Sequence, residues 1–281
     1  MEYILHLLIL MGIYVMLSQS LSLSAGFGGL ISLAHAGFYG IGAYTAAILA
    51  VKCQLTFVEV LPIALLMSGL VAFLVAAIAL RTVDDYFIIC TLGIQVVIFS
   101  VMNNWMSMTN GPLGISGIPS LMIFGFPIEN KVSFLAITFL FVVSIFLFLR
   151  YITFSAFGRT LCSLSEDEIF TASLGKNVYL TKLIAFSMSG MLASIPGVLY
   201  AYYISYVDPT SFTVAESIFI LSIVIIGGMR KLWGCLIAVI FLTLLPEILR
   251  FIGLPNSIAA NLRQIIYGVL LIYAMFRSCG K

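Results

Sequence analysis

Few residues in the sequence have the types and spacing that catalysis requires. The best case is the GISG stretch that begins at Gly114, which matches the G-x-S-G pattern of intramembrane serine proteases. A serine nucleophile needs a nearby general base to accept its proton. Both histidines, His6 and His35, precede Ser116 in the chain, whereas a rhomboid-like protease places its histidine on a later helix. Because glycines and prolines surround Ser116, we interpret this stretch as a loop and keep the protease as the alternative function.

Acidic and sulfur-containing residues suggest no metal chemistry either. Asp84 and Asp85 stand at a predicted helix start beside Arg81, where carboxylates favour the positive end of the helix dipole, so we interpret them as a solvated, capped loop. The five cysteines are widely spaced and never form a C-x-x-C pair, which predicts neither a disulfide framework nor a zinc site. We interpret the cysteines as small apolar residues and expect no metal, cofactor or catalytic residue on this chain.

Composition places these residues in a membrane. Of 281 residues, 62% are hydrophobic and 9% are charged, whereas soluble domains have roughly 25% charged residues. A net charge of +2 without a basic cluster excludes nucleic acid as a partner. A spanning helix needs about 20 mostly apolar residues, so we predict an all-α, polytopic membrane protein with one transmembrane domain over 1–281 and about nine spans, eight to ten being possible. The predicted spans are 4–23, 33–51, 57–80, 86–103, 131–149, 183–203, 214–229, 232–249 and 264–277.

Lysine and arginine positions predict the orientation of these spans. With nine spans and the N-terminus outside, nine of the thirteen basic residues fall on the inner side, as the positive-inside rule requires. The C-terminus is then cytoplasmic, in a cell or inner membrane. Residues 104–130 form an outer loop rich in Gly, Pro and Asn, and residues 150–182 form the one sizeable cytoplasmic segment.

A short helix is predicted inside this cytoplasmic segment. Ser165 and Glu168 fit a capping box, in which the Ser165 hydroxyl accepts from the Glu168 backbone N–H. We predict a helix from about Glu166 to Leu174, ended by Gly175 in a left-handed conformation. A helix of about 14 Å is too short to be stable alone in water. Its apolar residues therefore cover the inner ends of the spans or enter a groove on a partner protein, and the spacing leaves both possibilities open.

The predicted span centres are neutral. Glu216 and Glu247 lie within a few residues of a predicted boundary, whereas ion-coupled transporters need ionisable residues deep in their spans. His35 has no acidic neighbour in the sequence, so we interpret it as a hydrogen-bonded packing residue. Energy for any pumping must then come from another protein, and an external ATPase is the obvious source.

A glycine-rich stretch, GFGGLISLAHAGFYGIGAY, begins at Gly26 between two apolar runs. Its first half, up to Leu30, is poor helix and predicts a break or tight turn, which membranes tolerate only inside protein or beside a wet cavity. Its second half predicts a helix with small residues on one face, which lets helices approach closely. This small-residue stripe consists of Ala36, Gly40, Ala43 and Ala47.

Four stretches of the chain, taken together, resemble a known family: the membrane permease subunits of ABC importers for branched-chain amino acids, a group that also contains urea and short-amide permeases. The stretches occur in the same order and spacing as in that family. They are GFGGLISLAHAGFYGIGAYTAAIL; RTVDDYFIICTLG with NNWMSMTNGPLGISGIP; GRTLCSLSEDEIFTASLG with KLIAFSMSG; and DPTSFTVAESIFILSIVIIGGMRKLWG with LRQIIYGVLL.

The resemblance implies a translocation subunit without catalytic residues. It implies a second homologous permease, with a heterodimer expected, two cytoplasmic ATPase subunits that bind the ATP, and an extracytoplasmic substrate-binding protein. The implied solutes are branched-chain amino acids, with urea and short amides as the alternative. This chain departs from the family at Ser165, where arginine is frequent, and at Arg230-Lys231, where a Gly-Ser turn is usual.

The residue patterns and the resemblance together give candidate site residues. The resemblance maps the family's ATPase-coupling segment onto Gly158 to Gly175, with Glu166, Glu168, Ala172 and Gly175 at matching positions. The ATPase-coupling residues are Arg159, Ser165, Glu166, Asp167, Glu168, Ala172 and Gly175. The candidates for the pathway and for helix packing are Gly28, Gly29, His35, Gly37, Phe38, Gly40, Gly42, Tyr44, Gly111, Gly114, Gly117, Gly227 and Gly228.

Overall fold

A computed structural model describes residues 2–82, 85–123, 126–128 and 130–251, together with 266, 268, 269 and 272. Within these residues, helices dominate and the strands are only two residues long. The helices are α1 (Glu2–Leu21), α2 (His35–Lys52), α3 (Phe57–Ala79), α4 (Asp85–Asn104), α5 (Met106–Thr109), α6 (Lys131–Phe154), α7 (Ala156–Glu166), α8 (Glu168–Ser173), α9 (Val178–Ile204), α10 (Val214–Gly227) and α11 (Leu232–Phe251). The strands are β1 (Ile115–Ser116), β2 (Met122–Ile123), β3 (Phe126–Pro127) and β4 (Tyr206–Val207).

Five helices are long and apolar enough to cross a membrane: α1, α3, α4, α6 and α9. Shorter apolar helices occupy Val214–Gly227 and Leu232–Leu245. The predicted all-α, multi-pass membrane class is therefore confirmed, whereas the count of nine spans is not established. The predicted span at 264–277 and Asp84 lie outside the described residues, apart from isolated positions in that span.

Helix α2 is the central helix of the bundle, because twelve of its eighteen residues are buried. It packs against α3 and α9 and also contacts α4 and α10. Large apolar side chains on the outer helices point away from the protein, as at Leu66, Val97 and Phe139. Lipid-exposed surfaces of this kind are apolar because lipid chains offer no hydrogen bonds.

One end of the bundle is held together by contacts between helix ends. Lys131 Nζ at the start of α6 lies 2.8 Å from the Glu2 carboxylate at the start of α1. Lys52 Nζ at the end of α2 donates to the Ser107 carbonyl, 2.9 Å away. Because this end lies opposite the one that carries α7 and α8, we call it the opposite end of the bundle. The predicted outer loop, residues 104–130, belongs to it and contains β1, which pairs antiparallel with β4, and the β2–β3 hairpin.

We call the other end of the bundle the charged end, because α7, α8 and their ionised side chains lie there. The loop between α1 and α2 reaches it, since Gly29 lies beside Ser165. Arg230, between α10 and α11, also lies there and contacts Glu166. Helices α1 and α2 therefore run in opposite directions, as the predicted alternation of spans requires.

The predicted break after Gly26 is confirmed. Helix α1 continues as a π-helix over Ser22–Phe27 and then gives way to a non-helical segment, residues 28–34. Gly29 has a φ of +67°, in the left-handed region that favours glycine. At Gly26 a Cβ atom would lie 1.6 Å from the Met229 carbonyl oxygen, so only glycine lets the α10–α11 turn approach so closely.

The small-residue stripe of α2 is buried over its whole length, but its packing differs from the expectation. A Cβ on Gly40 would meet the Phe212 and Met102 side chains. The close approach of α2 to the backbone of a neighbouring helix lies on another face of α2. There, a Cβ on Gly42 would lie 2.5 Å from the backbone carbonyl oxygen of Ser194 on α9. A Cβ on Gly197 would lie 2.2 Å from the backbone carbonyl oxygen of Tyr39 on α2.

Candidate functional site

Helix α7 begins where Ser155 caps it, with the Ser155 hydroxyl accepting from the Gly158 N–H. Its buried residues, Gly158, Leu161 and Leu164, recur every three positions and form one face. This face rests on α9 and on the π-helix that follows α1. Packing on the bundle thus stabilises a helix that would be too short to persist alone.

The predicted capping box at Ser165 is wrong, and so is the predicted start of the following helix, whereas its predicted end at Leu174 agrees to within one residue. Helix α7 continues through Glu166, and the extended residue is Asp167, with φ −153° and ψ 109°. The Asp167 carboxylate accepts from the Phe170 N–H at 2.9 Å and caps α8. Burial of the Leu164 side chain keeps Ser165 helical, so the next good capping residue takes the role.

Gly175 has a φ of +74°, which confirms the predicted left-handed glycine. Its N–H donates to the Ala172 carbonyl at 2.9 Å, close behind the last residue of α8. No heavy atom lies within 4 Å of a Cβ built on Gly175. Backbone conformation, rather than crowding, therefore explains why glycine stands here.

The apolar residues of α8 and its end face outward and do not cover the inner ends of the spans, which was one of the two possibilities that the sequence left open. Ile169 is 83% exposed, Phe170 59% and Leu174 61%. The buried residue of this helix is Thr171, whose hydroxyl lies 2.7 Å from that of Ser163 on α7. Helix α8 therefore does not cover the ends of the spans, and it presents an apolar surface beyond them.

Ion pairs tie α7 and α8 to neighbouring elements. Arg230 donates to the Glu166 carboxylate at 2.6 Å and to the Ser165 hydroxyl at 2.9 Å. Lys182 on α9 pairs with Glu168. Pairs between exposed groups typically contribute only about 0 to 1 kcal/mol, so these contacts orient the segment more than they stabilise it. Ser165 stands at a position where arginine is frequent in the family that the sequence resembles. Arg230 places a guanidinium beside Ser165, so a positive charge is present there although Ser165 itself has none.

A cleft of about 370 Å³ lies between this segment and the ends of the spans. Its lining is polar and includes both signs of charge. The chemically distinctive lining residues are Gly28, Gly29, Asp85, Ser165, Glu166 and Lys182. The broken segment after α1 thus lies directly beside the candidate coupling helices.

The other coupling candidates, Arg159 on α7 and Ala172 on α8, are both exposed. Arg159, Glu166, Asp167 and Glu168 give α7 and α8 exposed charged side chains in addition to the outward apolar ones. All the coupling candidates thus lie on α7, on α8 or between and just after them, at the charged end.

Inside the bundle, polar groups line the faces that surround α2. The Ser20 hydroxyl lies 2.8 Å from His35 Nε2, which agrees with a hydrogen-bonded packing histidine. Gln95 on α4 donates to the Phe212 carbonyl at 2.8 Å. Sequence reasoning missed Gln95, although an uncharged amide within an apolar run was a visible signal.

Some buried polar atoms have no hydrogen-bond partner within the described part of the chain. Unpaired buried groups are costly, so each requires an explanation. These atoms are both amide atoms of Gln19, Gln95 Oε1, and the hydroxyls of Tyr44 and Tyr202. Each of these atoms has a capacity for hydrogen bonding that the described part of the chain does not use.

The prediction that the span centres are neutral needs one correction. The Tyr14 hydroxyl donates to the Glu216 carboxylate at 2.7 Å. Tyr14 is twelve residues beyond Glu2, hence about 18 Å along α1 and near the middle of a bilayer of about 30 Å. Glu216 lies this deep because α10 begins only after a 3-10 turn whose Phe212 is fully buried.

The predicted pathway candidates do not form one site. Gly28 and Gly29 lie in the broken segment at the charged end, and Gly227 and Gly228 form the α10–α11 turn there. The opposite-end loop contains three glycines with positive φ, namely Gly111, Gly114 and Gly117. The remaining candidates are on α2 and point into the interior: His35, Gly37, Phe38, Gly40, Gly42 and Tyr44.

The residues considered for catalysis lie apart. Ser116 is exposed in β1, opposite Tyr206 of β4. His6 Nδ1 lies 2.7 Å from the Tyr203 hydroxyl, and His35 is next to Ser20. The described contacts of both histidines therefore give the protease alternative no support.

The cysteine interpretation holds only in part. Cys235 is buried, as a small apolar residue would be, whereas Cys53 is exposed just after α2. Cys53 is therefore not a packing residue, because the chain leaves the bundle at the end of that helix.

Comparison with known proteins identifies the family to which this geometry belongs. A family model described as "Branched-chain amino acid transport system / permease component" matches residues 3–275. The chain belongs to this family. The match covers every described helix of the bundle, including α7 and α8.

Individual members of the permease family agree with this result. The high-affinity branched-chain amino acid transport system permease protein LivM of Escherichia coli (strain K12) is 36% identical over 261 residues, covering 85% of this chain and 61% of that protein. The chain thus spans about three fifths of the length of that relative. A probable LivM of Methanocaldococcus jannaschii is 21% identical, covering 96% of this chain. The autoinducer 2 import permease LsrC of Klebsiella pneumoniae is 29% identical over 44% of this chain. No solved structure matches the chain.

Proposed function

We propose that this chain is the membrane-spanning subunit of an ABC importer and forms part of the path for branched-chain amino acids. The observation that carries the proposal is the outward apolar surface of α8 on a chain of the permease family. The proposed location is a cell or inner membrane with the charged end and the C-terminus in the cytoplasm. A second homologous permease would complete the path, with a heterodimer expected, and a binding protein would deliver solute at the opposite end.

Two ATPase subunits would bind the ATP and dock at the charged end. Ile169, Phe170 and Leu174 would enter an apolar groove on the ATPase, with Arg159, Glu166 and Glu168 around them. Because Arg230 and Lys182 tie this segment to the α10–α11 turn and to α9, a movement of the ATPase would reach the helices around α2. The spans would then alternate access to the interior.

The substrate proposal rests on the names of the relatives and on the neutral polar groups around α2. A zwitterionic amino acid can be met by hydroxyls, amides and helix ends without an ion-coupling site. Glu216 is the one carboxylate observed at this depth in the described residues, and it is already held by Tyr14.

Co-purification and uptake test the docking surface. The variant Ile169→Ser/Phe170→Ser should lose both leucine uptake and co-purification of the ATPase, while its level in the membrane stays unchanged. The control is Leu113→Ser, which changes a side chain that is 76% exposed at the opposite end. The control should keep co-purification of the ATPase, because the docking assignment places no ATPase contact at that end.

Unchanged ATPase co-purification with the α8 variant would contradict the docking assignment. The substrate is tested separately, by uptake of labelled leucine and of labelled urea through the assembled importer. Urea uptake without leucine uptake would contradict the amino-acid assignment and leave the docking assignment intact. In the same assay, Ser116→Ala should keep full activity, and its loss would favour the protease alternative.

A further inference from the structure

A second surface at the charged end has features that ATPase docking does not use. A groove of about 740 Å³ lies between the end of α6 and the start of α11. Phe146, Arg150 and Phe154 are spaced four residues apart on α6, so they share one face of that helix. Trp233 forms the opposite wall, with its ring centroid 5.0 Å from that of Phe146.

The groove is strongly cationic. Arg150, Arg230 and Lys231 line it, and no acidic side chain does so among the described residues. Arg230 already contacts Glu166. Within the described part of the chain, Arg150 and Lys231 form no ion pair, and Arg150 instead lies 5.9 Å from the Phe154 ring centroid. Two cations are therefore available to an anionic ligand.

The rest of the groove is apolar and continues along the outer face of the bundle. Phe154 is 74% exposed, Trp233 65% and Ile237 70%. Phe241, four residues beyond Ile237 on α11, is also exposed. Tryptophan prefers the membrane interface, where one edge of the ring is wet and the other is apolar. A ligand that fits has an anionic head beside Arg150 and Lys231 and hydrocarbon that extends along these aromatic side chains.

We propose that this groove binds the phosphate headgroup of an anionic phospholipid from the leaflet at the charged end. Basic pockets between transmembrane helices on the cytoplasmic side are known to suit such headgroups. The volume is in the range of small-molecule sites, which is enough for the headgroup and glycerol but leaves the acyl chains outside. The chains lie along the exposed faces of α6 and α11. The bound lipid fixes the α10–α11 turn, and with it Arg230, next to α7.

Native mass spectrometry of the purified full chain, titrated with phosphatidylglycerol or phosphatidylcholine, tests the site. The wild-type chain should retain phosphatidylglycerol and not phosphatidylcholine. Arg150→Gln/Lys231→Gln should weaken phosphatidylglycerol binding roughly 30-fold. The control Arg81→Gln/Lys176→Gln removes the same two charges from the same end, outside the groove, and should bind as the wild type does. Arg150→Lys/Lys231→Arg keeps both charges and should restore most of the binding.

Equal phosphatidylglycerol binding by the groove variant and the control variant would overturn the proposal. A second measurement identifies the occupant in the native membrane, using photo-reactive benzoyl-phenylalanine in place of Trp233. Crosslinking to phospholipid supports the site. Crosslinking to a second copy of the chain or to another protein overturns it, because the groove is then a protein interface.

Discussion

At Gly42, hydrogen is the largest side chain that the helix interface accepts. A methyl group there would lie 2.5 Å from a backbone oxygen of α9, and Gly197 on α9 meets α2 in the same way. The two glycines let α2 and α9 approach closely, so backbone atoms pack where side chains would otherwise keep the helices apart. Such contacts are the main source of helix association in lipid, where no hydrophobic driving force separates lipid from protein.

We expect Gly42→Ala to destabilise the protein by about 1 to 3 kcal/mol, because backbone atoms of α9 cannot rotate away from the new methyl group. The measurement is the apparent melting temperature of the detergent-solubilised chain. The matched control is Gly93→Ala on α4, where no heavy atom lies within 4 Å of the new methyl group. Equal melting temperatures for the two variants would show that the α2–α9 contact is looser than the structure indicates.

At the scale of single elements, α7 and α8 show how packing selects between local signals. Ser165 and Asp167 are both good N-cap residues by type, and the sequence alone favoured Ser165 because Glu168 follows it at capping-box spacing. The deciding fact is the burial of Leu161 and Leu164, which extends α7 past Ser165. That burial depends on α9 and the π-helix, so local sequence could predict a short helix and its terminal glycine but not its first residue.

Asp167→Ala should therefore loosen α8, whereas Ser165→Ala should not. Loss of the cap should speed hydrogen exchange of the Phe170 and Thr171 amides, which donate to Asp167, by about fivefold, since a cap typically contributes about 1 kcal/mol. Exchange followed by mass spectrometry on the full chain measures this. Asp167→Asn retains an accepting oxygen and should exchange almost as slowly as the wild type. Faster exchange in Ser165→Ala than in Asp167→Ala would restore the capping box.

At the scale of the whole molecule, alternation of the helices between two ends follows from the hydropathy pattern, and the structure has the same arrangement. The hydropathy pattern did not predict the depth of Glu216 in the membrane. A window of apolar residues places Glu216 near a boundary, but the buried 3-10 turn at Phe212 displaces the start of α10 into the bundle. The sequence also did not predict the contact between Gly42 and Gly197, because that contact depends on which helices are neighbours in the bundle.

Two cysteines at opposite ends allow a test of the proposed orientation. Cys53 is exposed near the opposite end, so a membrane-impermeant maleimide should label it in intact cells, and Cys53→Ser should abolish that signal. Cys162 on α7 should react only after permeabilisation. Its reaction should also be slow, because burial raises the pKa of the Cys162 thiol and leaves less reactive thiolate. Labelling of Cys162 before Cys53 in intact cells would invert the orientation.

The π-helix at Ser22–Phe27 also determines the direction in which the chain leaves α1. A π-turn holds one more residue than an α-turn, and one residue corresponds to about 100° of rotation around a helix axis. Deleting one residue from this segment would leave the hydropathy profile almost unchanged, yet it would swing Gly29 away from α7 and the cleft beside it. The apolar residues of this chain thus determine how it inserts into the membrane. One extra residue in the π-helix determines how the segment after α1 is rotated relative to α7 at the charged end.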